Sequence, residues 1–206
     1  MVLQQEQKSG RQPRGFGLIE ILFVLAIAAI ALGIGVPAFT TMFANIRMAG
    51  ATNDLVTSLH AARSEAIKRQ VTVTLCPTVD GDGPCLTDGS LASGWTVFVD
   101  RNADATISDD DVVVQRHAAL PPQLRDGLRV NPAAAPGYII FNGTGAVGTT
   151  ALPDSLTDIQ LCDERGDVDT GAGVAAGRWI HIHPAGRPEL YRKRDDLEER
   201  SPLGGC

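Results

Sequence analysis

An acidic segment in the middle of the chain, residues 100–111, has the spacing of oxygen side chains that calcium sites use. Such side chains stand at its first, third, fifth, ninth and twelfth positions. The candidate calcium ligands are Asp100, Asn102, Asp104 and Asp111. An EF-hand loop also needs Gly at position six and Glu at position twelve, where this chain has Ala105 and Asp111. The alternative is a polar turn rich in Asp and Asn that holds no metal.

Four cysteines offer sulfur chemistry: Cys76, Cys85, Cys162 and Cys206. In an oxidising compartment an even number of cysteines indicates disulfides, here two bonds with three possible connectivities. We favour Cys76–Cys85, because the turn-rich residues between them close a loop at small entropic cost. That choice leaves Cys162–Cys206, which would fix the C-terminal tail to the domain. A zinc site is the rival interpretation, but no two cysteines have the separation of about two to four residues found in zinc knuckles.

His181 and His183 lie two residues apart on a predicted strand, so their side chains face the same side. Such a pair could chelate a metal, but no third ligand is evident in the sequence, and we interpret both as half-exposed strand histidines. The sequence contains no Gly-x-Ser-x-Gly motif, no P-loop and no paired-carboxylate site. It therefore predicts a protein that is not an enzyme.

The chain is acidic, with a net charge of −6 over 206 residues. Lys8, Arg11 and Arg14 outweigh Glu6 in the first fifteen residues, so the remainder is more acidic, at −8. An acidic surface excludes general phosphate binding, and a nucleic-acid role would need a local basic patch. One such patch lies near the C-terminus: Arg187, Arg192, Lys193 and Arg194. Four acidic residues follow between positions 195 and 199, so a solvated, self-neutralising tail is the alternative.

An apolar segment at residues 16–39 carries a single charge, Glu20. A helix over it would be about 36 Å long, enough to cross a hydrocarbon core of roughly 30 Å. The basic residues before it predict a cytoplasmic amino terminus. A carboxylate inside such a segment is costly, which marks Glu20 as a functional residue that needs a positive partner. A cleaved secretory signal or a plain anchor fits less well, because Gly15 precedes the apolar run.

The helix is predicted to continue from Phe16 to Arg69, with a bend at Pro37. Beyond the bend, apolar residues recur at steps of three and four, which is typical of an amphipathic helix lying on a core. The predicted core face is Phe43, Ile46, Ala49, Leu55, Val56, Leu59, Ala62, Ala66 and Ile67. Residues 40–206 should therefore form one domain that begins with this half of the helix.

After Gln70 the hydrophobic period changes to two, which predicts eight short strands. They lie at residues 71–75, 95–99, 112–114, 128–130, 138–141, 156–161, 178–183 and 189–192. Residues 166–177 are rich in Gly and Ala and are predicted to be a mobile loop. One helix followed by many strands indicates an α+β fold, with one or two antiparallel sheets packed on the apolar face of the helix.

The start of the apolar segment resembles the class III signal of type IV pilins and type II secretion pseudopilins. It reads Arg14-Gly15-Phe16-Gly17-Leu18-Ile19-Glu20. The resemblance implies a pilin fold, a leader at residues 1–15, and a prepilin peptidase that cuts between Gly15 and Phe16 and methylates the new amino group of Phe16. It also implies that Glu20, the fifth mature residue, contacts that amino group on a neighbouring subunit. Gly17 departs from the usual Thr.

Later motifs resemble those of the GspH/FimT group of minor pilins and pseudopilins. They are Gly94-Trp95-Thr96-Val97-Phe98-Val99-Asp100, Phe141-Asn142-Gly143-Thr144-Gly145, Arg178-Trp179-Ile180 and Gly186-Arg187. FimT-like minor pilins are associated with DNA capture through a Gly-Arg-x-Arg motif. Gly186-Arg187 matches its first half, but Glu189 replaces the second Arg. Residues 192–194 would supply the missing charge by contacting phosphates, not bases.

These resemblances imply a FimT-like minor pilin that takes part in type IV pilus assembly, with DNA uptake in natural transformation as a further expectation. The alternative is a GspH pseudopilin of a type II secretion system; the Cys76–Cys85 loop and the Gly186-Arg187 ending favour FimT. Expected partners are other pilins or pseudopilins in a filament, prepilin peptidase, the inner membrane and DNA. The expected location is the bacterial inner membrane, with one span and a periplasmic domain, and then the pilus or pseudopilus.

Overall fold

The computed structural model describes residues 17–86, 89–131, 137–148 and 155–206. Its first element is a 52-residue helix, α1, Leu18–Arg69, whose helical backbone is unbroken at residue 37, the position of the predicted bend. The chain divides into two compact units, of which the first ends at Phe43 and the second is Ala44–Cys206.

In the first unit, the large apolar side chains of α1 are exposed on every side. The exposed fraction is 79% at Leu18, 65% at Phe23, 66% at Ile30 and 59% at Phe39. A helix that is apolar all round needs an apolar environment on all sides, such as lipid or other helices. Among the described residues, α1 is the one helix long and apolar enough to cross a membrane, judged by length and composition.

The second unit contains two four-stranded antiparallel sheets. Sheet 1 has the order β3-β2-β1-β5, and sheet 2 has the order β4-β6-β7-β8. The strands are β1 Val73–Pro77, β2 Trp95–Val99, β3 Val112–His117, β4 Leu128–Asn131, β5 Ile139–Phe141, β6 Asp158–Leu161, β7 Val174–Ile182 and β8 Pro188–Lys193. A 3₁₀ turn at Leu91–Ser93, a short helix α2 at Pro122–Arg125 and a π-helical turn at Asp196–Arg200 complete the described elements.

One hydrophobic core fills the space between the second half of α1 and the inner faces of both sheets. Leu55 and Leu59 of α1 are almost fully buried there. Alternate strand residues point into it, among them Val73 and Leu75 of β1, Trp95 and Val97 of β2, Ile159 and Leu161 of β6, and Ile180 and Ile182 of β7. The predicted α+β fold, with a long helix on antiparallel sheets, is confirmed, and the described residues form two sheets.

The predicted core face of α1 is partly wrong. Phe43, Ile46 and Ile67 are each about half exposed, whereas Met48 and Thr52 are buried. The hydroxyl of Thr52 donates to the carbonyl of Met48 at 2.7 Å, and that of Ser58 donates to the carbonyl of Asp54 at 2.9 Å. Because their own helix satisfies these hydroxyls, both residues can be buried, and the core face is rotated from the apolar pattern.

The predicted mobile loop at residues 166–177 is wrong in its last part, because Val174–Gly177 is the start of β7. The turn before it is held by the carboxylate of Asp169, which accepts from the backbone N–H groups of Gly171 at 2.7 Å and Gly173 at 3.1 Å. A register shift between Val174 and Trp179 marks an irregularity where this Gly/Ala-rich stretch enters the sheet.

Candidate functional site

Glu20 lies in the first turn of α1 and is exposed. Its backbone N–H donates to the carbonyl of Gly17 at 3.0 Å, and none of the residues that the structure describes forms an ion pair with its carboxylate. The predicted cleavage and methylation residues, Gly15 and Phe16, lie outside the described residues. The assembly contact of Glu20 and the leader boundary therefore stay predictions.

The cysteines pair as predicted, Cys76 with Cys85 and Cys162 with Cys206. The first bond closes a loop next to the end of β1, with a sequence separation of 9. The second bond has a separation of 44 and ties the C-terminal tail to sheet 2. No cysteine of the chain is left as a thiol or as a zinc ligand.

The predicted calcium ligands use their oxygens in hydrogen bonds within the loop. Buried Asp100 accepts from the Thr74 hydroxyl at 2.8 Å and from the backbone N–H groups of Asp104 at 3.2 Å and Ala105 at 3.0 Å. Asp111 accepts from the N–H of Arg101 and from Ser108. Burial raises the pKa of Asp111, but these hydrogen bonds outweigh it, and the pKa lies below its usual value.

The side-chain amide of Asn102 donates to Asp104 at 2.8 Å, and Asp104 in turn accepts from the N–H of Thr106 at 2.8 Å. Ala105, at the position of the EF-hand glycine, has a φ of 58°, in the left-handed region. The described residues contain no group of three His, Cys, Asp or Glu side chains that could hold a metal ion. In this geometry the segment is a polar turn whose side chains form hydrogen bonds with one another and with its own backbone.

The structure places the four predicted DNA-binding residues in different settings. Arg187 lies just before β8, Arg192 and Lys193 end β8, and all three are exposed. Arg194 forms an ion pair with Glu198, with 2.6 Å between Nε and Oε1. The acidic residues that follow the patch therefore neutralise one of its four cations.

A buried polar network surrounds Asp158 on sheet 2, and the sequence did not predict it. Asp158 Oδ1 accepts from Trp179 Nε1 at 3.0 Å and lies 2.7 Å from His181 Nδ1. Its Oδ2 accepts from the hydroxyl of Thr157 at 2.8 Å and from the side-chain amide of Asn131 at 3.3 Å. Burial raises the pKa of Asp158, but these hydrogen bonds outweigh it, and the pKa lies below its usual value.

A second carboxylate–histidine pair lies beside this network. His183 Nε2 is 2.8 Å from Glu189 Oε2, and this contact is the main cause of a lowered Glu189 pKa. The two imidazole rings touch edge to face, with 4.6 Å between their centroids. The only sequence signal for this cluster is the two-residue spacing of the histidines, because the carboxylates come from β6 and β8.

Two glycines of the later motifs meet where the sheets join. A Cβ on Gly186 would overlap the carbonyl oxygen of Gly145, so a side chain at residue 186 does not fit. Arg63 of α1 donates from Nε to the same carbonyl at 3.1 Å, and the N–H of Val147 donates to the carbonyl of Pro184 at 3.0 Å. The Phe141–Gly145 and Gly186-Arg187 motifs thus form one junction between the sheets and α1.

An apolar helix of membrane-spanning length that continues into a domain of two antiparallel sheets defines the class of pilin-like proteins. The family model described as the prokaryotic N-terminal methylation motif matches residues 10–36, and the model described as type II transport protein GspH matches residues 51–186. The chain belongs to this GspH family of type IV pilin-like proteins. Proteins of this family are structural, not enzymes. The apolar helix and the N-terminal methylation motif indicate a pilin anchored in a membrane.

Individual known proteins are similar to parts of the chain. Pilin-like protein PilA1 of Thermus thermophilus is 33% identical over 91 residues, which is 44% of this chain and 51% of the relative. The chain thus matches about half the length of that curated relative. Crystal structures of the type IV minor pilin FimU of Pseudomonas aeruginosa, in two crystal forms, are 21% identical, with TM-scores of 0.47 and 0.44. They cover 70% and 69% of this chain, and the chain covers 87% and 90% of them.

Proposed function

We propose that this chain is a minor pilin that enters a type IV pilus through α1. The observation that carries the proposal is the first half of α1, in which large apolar side chains from Leu18 to Phe43 are exposed and Glu20 is the single charge. In a membrane, lipid covers these side chains. In a filament, the same side chains are covered by helices of neighbouring subunits, so one surface serves both states.

Glu20 favours the transfer of this helix from lipid into a filament. A carboxylate in hydrocarbon is costly, and it gains most from a fixed cation that shares its apolar surroundings. The free amino group of Phe16 on a neighbouring subunit is such a cation once the leader has been removed. In this proposal Glu20 sets the register of one helix against the next.

The test uses the full-length protein with Glu20→Ala. We expect normal insertion in the membrane fraction but at least a tenfold loss from the sheared filament fraction. The matched control is Glu65→Ala, which removes a carboxylate from the same helix where it pairs with Arg69 at the surface. Wild-type amounts of Glu20→Ala protein in sheared filaments would refute the role of Glu20.

A pseudopilin of a type II secretion system is the alternative function, and the description of the matching family favours it. The two functions share α1 and differ in the filament that receives it. Deletion of the gene separates them, because loss of surface pili with normal protein secretion supports the pilus. Loss of secretion with normal pili supports the alternative.

DNA binding by the basic patch is a second candidate function, supported by the exposed cations at Arg187, Arg192 and Lys193. Three phosphate contacts would give a slope of log K against log salt of about −2.7 on duplex DNA. In a gel-shift titration of the full-length protein in detergent, we expect the triple Ala variant at these positions to lose most of that slope. Arg194→Ala should change little, because Glu198 already neutralises it.

The charge-matched control for the triple variant removes three other exposed cations, Arg47, Arg101 and Arg125, by substitution with Ala. It should bind duplex DNA as the wild type does. Equal binding by the wild type and the patch variant, or equal loss in the patch variant and the control, would contradict a phosphate site at the C-terminal end.

A further inference from the structure

We propose that His181 and His183 form a two-histidine site for a divalent transition-metal ion, such as Cu²⁺, Ni²⁺ or Zn²⁺, on the outer face of sheet 2. Imidazole nitrogens favour this class of ion over Ca²⁺ or Mg²⁺. The site is separate from α1, so the inference does not depend on the assembly role.

The two imidazole rings are already adjacent and reachable from solvent. Their centroids are 4.6 Å apart and their planes are inclined by 83°. The side chains are 29% and 35% exposed at His181 and His183. Two imidazoles that bind one ion through bonds of about 2.0 to 2.1 Å must have their rings close together, and here the backbone spacing provides that closeness.

Each ring has one nitrogen occupied by a carboxylate. His181 Nδ1 faces Asp158 at 2.7 Å, and His183 Nε2 faces Glu189 at 2.8 Å. An ionised carboxylate only accepts hydrogen bonds, so these nitrogens carry the protons. In the neutral rings, Nε2 of His181 and Nδ1 of His183 therefore keep their lone pairs. A carboxylate behind each histidine is the usual arrangement around metal-binding imidazoles, where it fixes the tautomer and raises the basicity of the ligand.

His117 shows that this arrangement is not common to all histidines of the chain. Its Nδ1 lies 2.7 Å from the carbonyl of Ala118, and its Nε2 lies 3.2 Å from Asp54. Neighbouring acceptors therefore occupy both nitrogens of His117, and neither nitrogen is open to a metal. The Asp158 carboxylate is itself held by Trp179, Thr157 and Asn131, which makes it a rigid support for His181.

The proposed site has two protein ligands, and water completes the coordination of the ion. This agrees with the lack of a group of three His, Cys, Asp or Glu side chains among residues 17–86, 89–131, 137–148 and 155–206. Two ligands give weaker binding than a three-ligand or four-ligand site, so the site suits reversible capture of an ion at the surface.

The test is calorimetric titration of the full-length protein in detergent with Cu²⁺. We expect His183→Asn to weaken binding at least tenfold, and Glu189→Gln, which keeps both ligands, to weaken it about tenfold by loss of the supporting carboxylate. His60→Asn, which removes an exposed histidine of α1, is the control and should bind as the wild type does.

A second readout does not depend on affinity. Electron paramagnetic resonance of the Cu²⁺ complex should show two imidazole nitrogens in the wild type and one in His183→Asn. Circular dichroism establishes that each variant is folded. Wild-type affinity and an unchanged spectrum for His183→Asn would overturn the site, and unchanged binding in Glu189→Gln would overturn the role of its carboxylate.

Discussion

Sheet 1 and sheet 2 share one core but cover their outer faces in different ways. The outer face of sheet 1 is covered by segments that lie close to its strands in sequence, for example through the Thr96 hydroxyl, which donates to the carbonyl of Gly81. The outer face of sheet 2 is covered in part by the C-terminal segment. Gln160 accepts from Ser201 at 2.7 Å and donates to the carbonyl of Gly204 at 2.8 Å, and Leu197 is fully buried.

One disulfide holds the segment over each outer face. The two bonds differ in how far apart their cysteines lie in the sequence. Cys76–Cys85 lies within a local loop of sheet 1, whereas Cys162–Cys206 joins the end of β6 to the end of the chain. A covering segment that is close in sequence to the strands forms together with them. A covering segment that is distant in sequence must be brought back across the sheet, which has an entropic cost. Sheet 2 should therefore depend more on its disulfide than sheet 1 does.

The largest expected effect comes from removing each disulfide in turn. For loops of these sizes the chain-entropy estimate is about 4 kcal/mol for Cys162–Cys206 and about 3 kcal/mol for Cys76–Cys85. We expect the Cys162→Ser/Cys206→Ser variant to be the less stable of the two in guanidinium titrations. If the Cys76→Ser/Cys85→Ser variant lost as much stability or more, the proposed difference between the two covers would be wrong.

The second effect concerns the junction that joins the sheets. Gly186 has a φ of 75°, and a Cβ there would meet the carbonyl of Gly145. Gly173 has nearly the same φ, 77°, with nothing within 4 Å of the added Cβ. Gly173→Ala should therefore cost about 1 kcal/mol for the backbone conformation alone. Gly186→Ala should cost about 1 to 3 kcal/mol more, because the added atom overpacks the junction.

Thermal unfolding of these two variants separates the cost of the backbone conformation from the cost of the contact with Gly145. Equal losses would mean that the loops at Gly145 and Gly186 move apart freely and that the junction does not couple the sheets. A larger loss at Gly186 with a single transition would mean that both sheets unfold together.

Elements that depend on a local pattern could be predicted from the sequence, whereas contacts between distant strands could not. Each of the eight strands of the described residues was predicted at least in part, because alternation of side chains is a property of each strand by itself. The first four residues of β7 were predicted as a loop. The first half of α1 was predicted for a similar reason, since an unbroken apolar segment has one stable form in a membrane. The Cys76–Cys85 pair followed from the turn residues between its partners.

The core face of α1 and the Asp158 network could not be predicted in the same way. Burial of Thr52 and Ser58 depends on hydroxyls that bond to their own helix, which an apolar pattern does not record. Asp158 lies 23 residues from its partner His181, and the pair meets only because β6 and β7 are in that register. Strand register is set by the whole sheet, so local sequence does not contain it.

A smaller effect, specific to sheet 2, is expected in acid. The pKa of folded Asp158 lies below the usual aspartate value of about 3.9, so the stability that its ionised form adds is present above that value. It is lost as the pH falls through the lowered pKa. Below about pH 4 we therefore expect the wild type to lose stability more steeply than Asp158→Asn in urea titrations at successive pH values.

The matching substitution beside sheet 1 is Asp111→Asn, because the pKa of Asp111 is also lowered. Asp111 is half-buried, whereas Asp158 is only 3% exposed, so solvent screens Asp111 more and its effect on acid stability should be smaller. Parallel acid profiles for wild type and Asp158→Asn would show that the network does not depend on the charge of Asp158.

The smallest effect is expected from calcium at the loop beside sheet 1. A native-state site occupied at a hundred times its dissociation constant would add about 2.7 kcal/mol and raise the unfolding midpoint by several degrees. Here the oxygens of Asp100 and Asp111 already accept hydrogen bonds inside the loop, and Arg101 adds a positive charge among them. We therefore expect millimolar Ca²⁺ to shift the midpoint of the full-length protein by less than about 1 °C, as for Mg²⁺ at the same concentration. A rise specific to Ca²⁺ and absent in Asp104→Asn would show that the loop opens to bind the ion. Sheet 1 would then have a cover stabilised by a ligand and not only by local hydrogen bonds.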